Sequence, residues 1–341
     1  MLSTDAMDPF EYLFIATSEI SPLLPSTLEA TVRRSHNRAE DTATDHTAIE
    51  ETWNKLTKRN DGEPQRENVY NGLKFRLHGV VQEGNKCSLQ LGLTDYKSSL
   101  GTTRNIGMYA ELAKRKGVLL ENYLANALGV ECFTLTSDGM GVLFCRSESV
   151  SEYPGFFCFP GGHAEPNKIF NWQHFKETHS RDTSTIITTT NNNNSNNNNN
   201  NNNKSSSSLL NEAAGWFEYV TTSTLVDLLF DAATMEVADE LGVEPTSCSN
   251  KGLLSVVRNV KSRKPDVCFF IQLSLNASEV KKCFNSRRGA DAFESIPNSL
   301  RLIDLNMIKT EEAARCFVEE KLQGKLTPAS FACLLHGIKY I

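Results

Sequence analysis

The sequence predicts an α/β/α sandwich on a mixed sheet, with a smaller α+β part ahead of it. Three observations predict this. From residue 131 onward, short apolar runs of strand character alternate with stretches of helical periodicity. Before residue 130 the order differs: one strand, then helices, then two adjacent strand-like runs. The 341 residues, 39% of them hydrophobic, suffice for one large core or two modest ones.

Within residues 1–130, "FEYLFIA" from Phe10 reads as a strand. Pro25-Ser26-Thr27-Leu28-Glu29 reads as a helix start, because Ser or Thr shortly before Glu matches a capping box. "TAIEETWNKLTKR" carries apolar residues at helical spacing. "GLKFRLHGVVQ" and "CSLQLGLTDY" read as two paired strands, and "GMYAELAKRKGVLLENYLANALG" as helical. Within residues 131–341, "ECFTLTS" and "GVLFCRS" flank an Asp-Gly bend and form a hairpin. "GFFCFPGG" is a third strand. Gly215 to Leu241 reads as one long helix or two abutting ones. "LLSVVRNV", "DVCFFIQLSLN" and "SLRLIDL" are strands. "ASEVKKCFN" is a helix with Ser278 as its cap, and "TEEAARCFVEEKLQ" and "TPASFACLLHGIKYI" are closing helices. Between 167 and 210 the composition turns to Asn, Ser and Thr. That stretch cannot bury enough apolar surface to offset its ordering entropy, so it reads as a disordered surface insertion.

Several function classes fall away. The formal charge of −6 and the absence of a Lys/Arg stripe exclude a nucleic-acid partner. No apolar stretch is long enough for a membrane span, and the N-terminus has acids where a signal peptide needs basic residues. The nine cysteines are dispersed, without a CxxC pair, and read as reduced thiols of a cytoplasmic protein. Phosphate-loop, HExxH and GxSxG motifs are missing, and "GMG" at Gly139–Gly141 lacks the third glycine of a dinucleotide fingerprint.

The chemistry concentrates in two places. "MEVADELGV" puts Glu236, Asp239 and Glu240 on one helix face, with Cβ atoms about 5–6 Å apart. Three carboxylates that close repel one another. A hard divalent cation turns the repulsion into a binding site and still takes oxygens from phosphate. An acidic helix face alone is commonplace. What singles this one out is "FPGGHAEP", where Gly161-Gly162 allows backbone to approach a ligand closely, and His163 and Glu165 follow at once.

With these residues in view, the chain resembles the Nudix hydrolases. Their box ends in Arg-Glu-apolar-x-Glu-Glu-x-Gly-apolar. Residues 235–243 match it at Glu236, Val237, Glu240, Gly242 and Val243, and conservatively at Asp239. Gly162 is similar to the first box glycine. Met235 stands where the box has arginine, and the Asn-rich stretch separates the two halves. "AIEETWNKL", "KFRLHG", "LGLTDYKSSLGT" and "FPGGHAEP" resemble the UDP-sugar pyrophosphatase branch more closely.

The resemblance implies a Nudix α/β/α domain at 131–341 and a uridine-binding part at 1–130. It implies hydrolysis of UDP-glucose or UDP-galactose to UMP and sugar 1-phosphate. Mg²⁺, or Mn²⁺ in its place, would be held by Glu236 and Glu240, with Asp239 as an outer or second-metal ligand. Glu240 would also serve as proton acceptor. His163, Glu165, Arg146, Ser151, Tyr96 and Tyr70 fall on substrate-contact positions, the two tyrosines flanking the uracil. At Cys158 that branch can carry an acid, which bears on sugar preference. The alternatives are a Nudix hydrolase of ADP-ribose or a dinucleotide, and a non-catalytic nucleotide-binding module.

Overall fold

A computed structural model describes residues 8–16, 22–57, 71–83, 86–150, 152–178 and 206–341. Its strands are β1 (Phe10–Ile15), β2 (Leu28–Val32), β3 (Leu73–Glu83), β4 (Lys86–Asp95), β5 (Gly129–Leu135), β6 (Met140–Cys145), β7 (Phe157–Cys158), β8 (Gly161–His163), β9 (Cys248–Asn259), β10 (Pro265–Leu273) and β11 (Arg301–Asp304). Its helices are α1 (Thr42–Asp45), α2 (Glu51–Thr57), α3 (Tyr96–Arg104), α4 (Ile106–Lys116), α5 (Ser206–Phe217), α6 (Thr222–Leu241), α7 (Ala277–Asn285), α8 (Glu311–Leu322) and α9 (Pro328–Gly337).

The architecture is mixed α/β. The main sheet runs β1-β9-β10-β5-β6-β11, with β8 pairing β5 and β7 pairing β6. β10 and β5 are parallel and the other pairs antiparallel, so the sheet is mixed. β5 lies in its middle, and every residue of it is buried. Side chains alternate across the sheet. Val130 and Cys132 join a core shared with α6 and α7, while Phe133 and Leu135 join a core shared with α8 and α9. The sheet is thus covered on both faces. β2, β4 and β3 form a separate three-stranded sheet whose apolar face joins the core around α6.

Several elements differ from the expectations, each for a physical reason. Pro25–Thr27 is a single 3₁₀ turn, and Leu28–Val32 is a strand parallel to β4. The alternate burial of Leu28, Ala30 and Val32 outweighs the capping signal, since burial rewards period two there. "FEYLFIA", counted with the first 130 residues, supplies the edge strand of the main sheet by pairing with β9. "GFFCFPGG" is two short strands. Pro160 has no N–H to continue a ladder, and the chain moves from β6 to β5 across it. The helix from Ile106 stops at Gly117, whose φ of +66° ends it. The cap of α7 is Asn276, not Ser278. Its side chain takes the Glu279 N–H at 3.0 Å, and Glu279 takes the Asn276 N–H at 2.9 Å. Gly215 to Leu241 resolves into the end of α5 and the whole of α6, whose cap is Thr221.

The expected disordered insertion at 167–210 is too wide at both ends. Residues 172–178 are helical, and α5 begins at Ser206. Phe170 and Trp172 are buried, and Leu210 joins the same core. The Phe170 ring lies 5.0–6.2 Å from Trp172, Phe175, Trp216 and Phe217. These flanks belong to the fold because aromatic area is what they bury. The Asn-rich centre lies outside the described residues. Phe170→Ala is expected to lower unfolding stability by about 3 kcal/mol, read by urea titration. A change under 1 kcal/mol would show that the flank contributes little to the core.

Candidate functional site

The site forms where α6 meets the β7–β8 corner. Leu225, Leu229, Val237 and Leu241 pin α6 to the core, which turns Glu236 and Glu240 toward the strand. Glu240 is buried, and its Oε2 accepts the Gly161 N–H at 2.7 Å. Glu236 Oε1 accepts the His163 N–H at 3.2 Å. Between these two contacts lies Gly162. A methyl group there would run into the Glu236 carboxylate, and one at Gly161 into the Val130 carbonyl. The main chain can meet Glu236 only because position 162 is glycine, and can pair with β5 only because position 161 is.

This leaves two desolvated carboxylates one helical turn apart. Burial pushes Glu236 up to about 7, with Asp291 and Glu294 adding to it against the pull of the His163 N–H. Burial raises Glu240 well above the usual carboxylate range, and the charge of Glu236 raises it further. Among the described residues neither carboxylate has a salt-bridge partner, and only the more remote charges of Lys74 on Glu236 and Arg146 on Glu240 offset them. Among the described residues no group of three or more His, Cys, Asp or Glu could hold a metal ion by itself. Two carboxylates are hard oxygen donors, and such a pair suits a hard divalent cation that would take its remaining ligands from water and a substrate's phosphates.

The other expected site residues fall as follows. Arg146, just past β6, donates from Nε to the Glu152 carbonyl at 3.0 Å, and its Nη1 stands 3.9 Å from Cys158 Sγ. Burial raises the Cys158 thiol well above its ordinary pKa despite that guanidinium, so the sulfur is neutral. Burial holds His163 well below the ordinary histidine value, helped by Lys264, Lys74 and Arg146, so its ring is neutral at pH 7. Glu165 is paired with Lys74 at 2.9 Å. Asp239 stands beside Asp291, whose N–H donates to the Asp239 carbonyl at 3.3 Å and whose carboxyl its charge raises, after burial. Tyr96 opens α3 with its ring 6.2 Å from Trp53, edge to face. Tyr70 and Ser151 lie outside the described residues.

Sequence reading missed an inner ring of charge. Lys74 comes from the small sheet. Lys264 reaches Glu152 at 3.0 Å and Asp266 at 3.9 Å. Glu131 on β5 accepts the Ser330 hydroxyl, and burial pushes it up to about 8. Its register partner is Gly161, so it braces the glycine corner from the opposite side. A signal existed for two of these. Glu131 and Asp266 are acids at the starts of strongly apolar strand runs, where an unpaired charge is costly.

Comparison with known proteins follows the same direction. No family model matches the chain. It is 24% identical over 302 residues to Nudix hydrolase 9 of Arabidopsis thaliana, which covers 85% of this chain and 82% of the relative. It is 25% identical over 280 residues to uridine diphosphate glucose pyrophosphatase NUDT22 of Homo sapiens, covering 78% and 75%. It is 28% identical over 237 residues to the Bos taurus protein of that name, covering 67% of each. The chain is thus similar over most of its length to a protein named as a Nudix hydrolase and to proteins named as uridine diphosphate glucose pyrophosphatases.

Two outcomes are expected at this site. Gly162→Ala should displace the Glu236 carboxylate and weaken Mn²⁺ binding at least about tenfold by calorimetry, one charged contact being worth roughly 1.5–3 kcal/mol. Divalent cation binding should release protons, because Glu236 titrates near pH 7 and a bound carboxylate is ionised. The release should shrink as the pH is raised from about 6.5 to about 8.5, since more of the acid is then already ionised. Unbuffered titration measures it, and a release independent of pH would contradict the assignment.

Proposed function

We propose that the protein hydrolyses the diphosphate of a UDP-sugar, such as UDP-glucose or UDP-galactose, to UMP and sugar 1-phosphate, with Mg²⁺ as cofactor. The observation that carries the reading is the carboxylate pair pressed against a glycine turn. It occurs in a chain similar to curated UDP-glucose pyrophosphatases.

Glu236 and Glu240 are the residues that would hold the divalent cation, and Asp239 takes an outer place beside Asp291. When bound, such an ion offsets charge building on the diphosphate and lowers the pKa of a water. The chain's own groups do the rest. The Gly161 N–H holds Oε2 of Glu240 and the His163 N–H holds Oε1 of Glu236, which leaves the other oxygen of each for the cation. Glu240, ionised when it holds the cation, would also be the group that takes a proton from the attacking water. Arg146 brings a guanidinium that the neutral Cys158 does not offset, suited to bidentate contact with phosphate. Neutral His163 suits a sugar hydroxyl better than a phosphate.

The small sheet and its helices supply the uridine contact, with Tyr96 as the stacking ring. Tyr96 follows β4, two residues beyond Thr94, the register partner of Lys74, so it stands at the sheet end from which Lys74 reaches the glycine corner. No described helix is long and apolar enough to cross a membrane, and the cysteines are all free thiols, which fits a cytoplasmic enzyme.

Incubation with UDP-glucose and Mg²⁺ should release UMP, and Glu240→Gln should lower the rate by about a hundredfold or more. A wild-type protein that releases no UMP but hydrolyses ADP-ribose would overturn the base assignment. A protein that hydrolyses neither, yet is stabilised by UDP-glucose, would be a binding module.

A further inference from the structure

Lys74 and Glu165 are 91 positions apart and meet across the two sheets, Nζ to Oε1 at 2.9 Å. Neither is a loose surface group, since the side chains are 12% and 32% exposed. Lys74 lies on β3, the edge of the small sheet, opposite Thr94. Its neighbours Leu73 and Phe75 are fully buried and hold the strand rigidly beneath it. Glu165 lies three residues past Gly162, just before the 3₁₀ turn Pro166–Lys168. The ammonium faces more than Glu165. It is also among the charges that act on Glu236, Glu294 and His163.

A lysine ammonium carries three donors, and a pairing with one carboxylate oxygen uses one of them. It is a compact point charge on a flexible stem and takes a phosphate oxygen without the planar match that arginine needs. Resting on Glu165, it is already desolvated and aimed, and so loses little freedom when a phosphate arrives.

Resting on the reading of the site as a UDP-sugar diphosphate site, we propose that Lys74 is a substrate ligand that reaches from the small sheet to the phosphate oxygens, and that Glu165 is the positioning residue that holds it there. Lys74 then couples the part that grips the uridine to the part that holds the diphosphate. Arg146 binds from the main sheet and Lys74 from the small one, and the diphosphate lies between two cations on separate supports.

The test uses the full chain and calorimetric titration with UDP-glucose and with uridine, in EDTA so that nothing turns over. Lys74→Met should weaken UDP-glucose at least about tenfold, the scale of a hydrogen bond to a charged group, and leave uridine within twofold. Lys74→Arg should restore most of the loss. Glu165→Gln should cost less than Lys74→Met, and the double variant no more than Lys74→Met alone, since Glu165 acts through the lysine. Melting curves show that each variant is folded, and Lys74→Gln, with the same expected loss, carries the test if Lys74→Met is not. Equal loss of uridine and UDP-glucose in Lys74→Met would mean that the pair only fixes the two sheets, and UDP-glucose binding unchanged in Lys74→Met would also overturn the proposal. In either case wild type still releases UMP with Mg²⁺. If wild type itself releases none, the reading of the function fails, and this proposal with it.

Discussion

A helix can press a carboxylate onto a neighbouring main chain only where no side chain stands between them. That constraint at Gly161-Gly162 organises the rest of the site. Gly162 clears the Glu236 carboxylate and Gly161 clears the Val130 carbonyl, and Glu236 and Glu240 each take a backbone N–H there. The apolar face of α6, running from Leu225 to Leu241, sets that approach. The corner is held from its other side by β5, through the register of Val130 and Glu131 with Gly162 and Gly161. Pro160 ends one strand pairing and lets the chain begin another, which places the turn over the middle of the sheet.

The energetic logic is an unfavourable arrangement kept for its use. Two acids in a desolvated pocket repel each other, and burial alone pushes both toward protonation. A core of aliphatic residues there would cost less. The arrangement makes sense as a receptor for positive charge, with the cations Arg146, Lys264 and Lys74 spaced around it rather than paired directly to it. The same pattern divides labour between the layers. Helix α6 supplies the acids, Arg146 follows β6 of the main sheet, and the small sheet brings Lys74 to the same corner.

What could be read from sequence follows from distance along the chain. Glu236 and Glu240 share a helix face by periodicity, whatever surrounds them, and the strand runs "DVCFFIQL" and "LLSVVRNV" declare themselves by composition. Local signals failed when two of them competed. Pro25 and Glu29 resembled a helix start, yet the alternation of Leu28, Ala30 and Val32 decided the segment. Ser278 looked like a cap, but Asn276 has the spacing that lets Glu279 answer it. Contacts between remote positions, such as Lys74 with Glu165 or Glu131 with Ser330, depend on strand pairing and layer packing that no local pattern encodes. The width of the Asn-rich stretch is illegible for a related reason: Phe170 looks isolated in sequence, and only the fold brings Trp216 and Phe217 to it.

The central claim, that the Glu236–Glu240 pair and the glycine corner form one divalent-cation site facing a diphosphate, has a direct test. Crystals soaked in Mn²⁺ and a non-hydrolysable UDP-sugar analogue would be examined by anomalous scattering. A peak held by Glu236, Glu240 and phosphate oxygens, beside Gly161-Gly162, is expected. An analogue bound with no peak there, or a peak held by other residues, would contradict it.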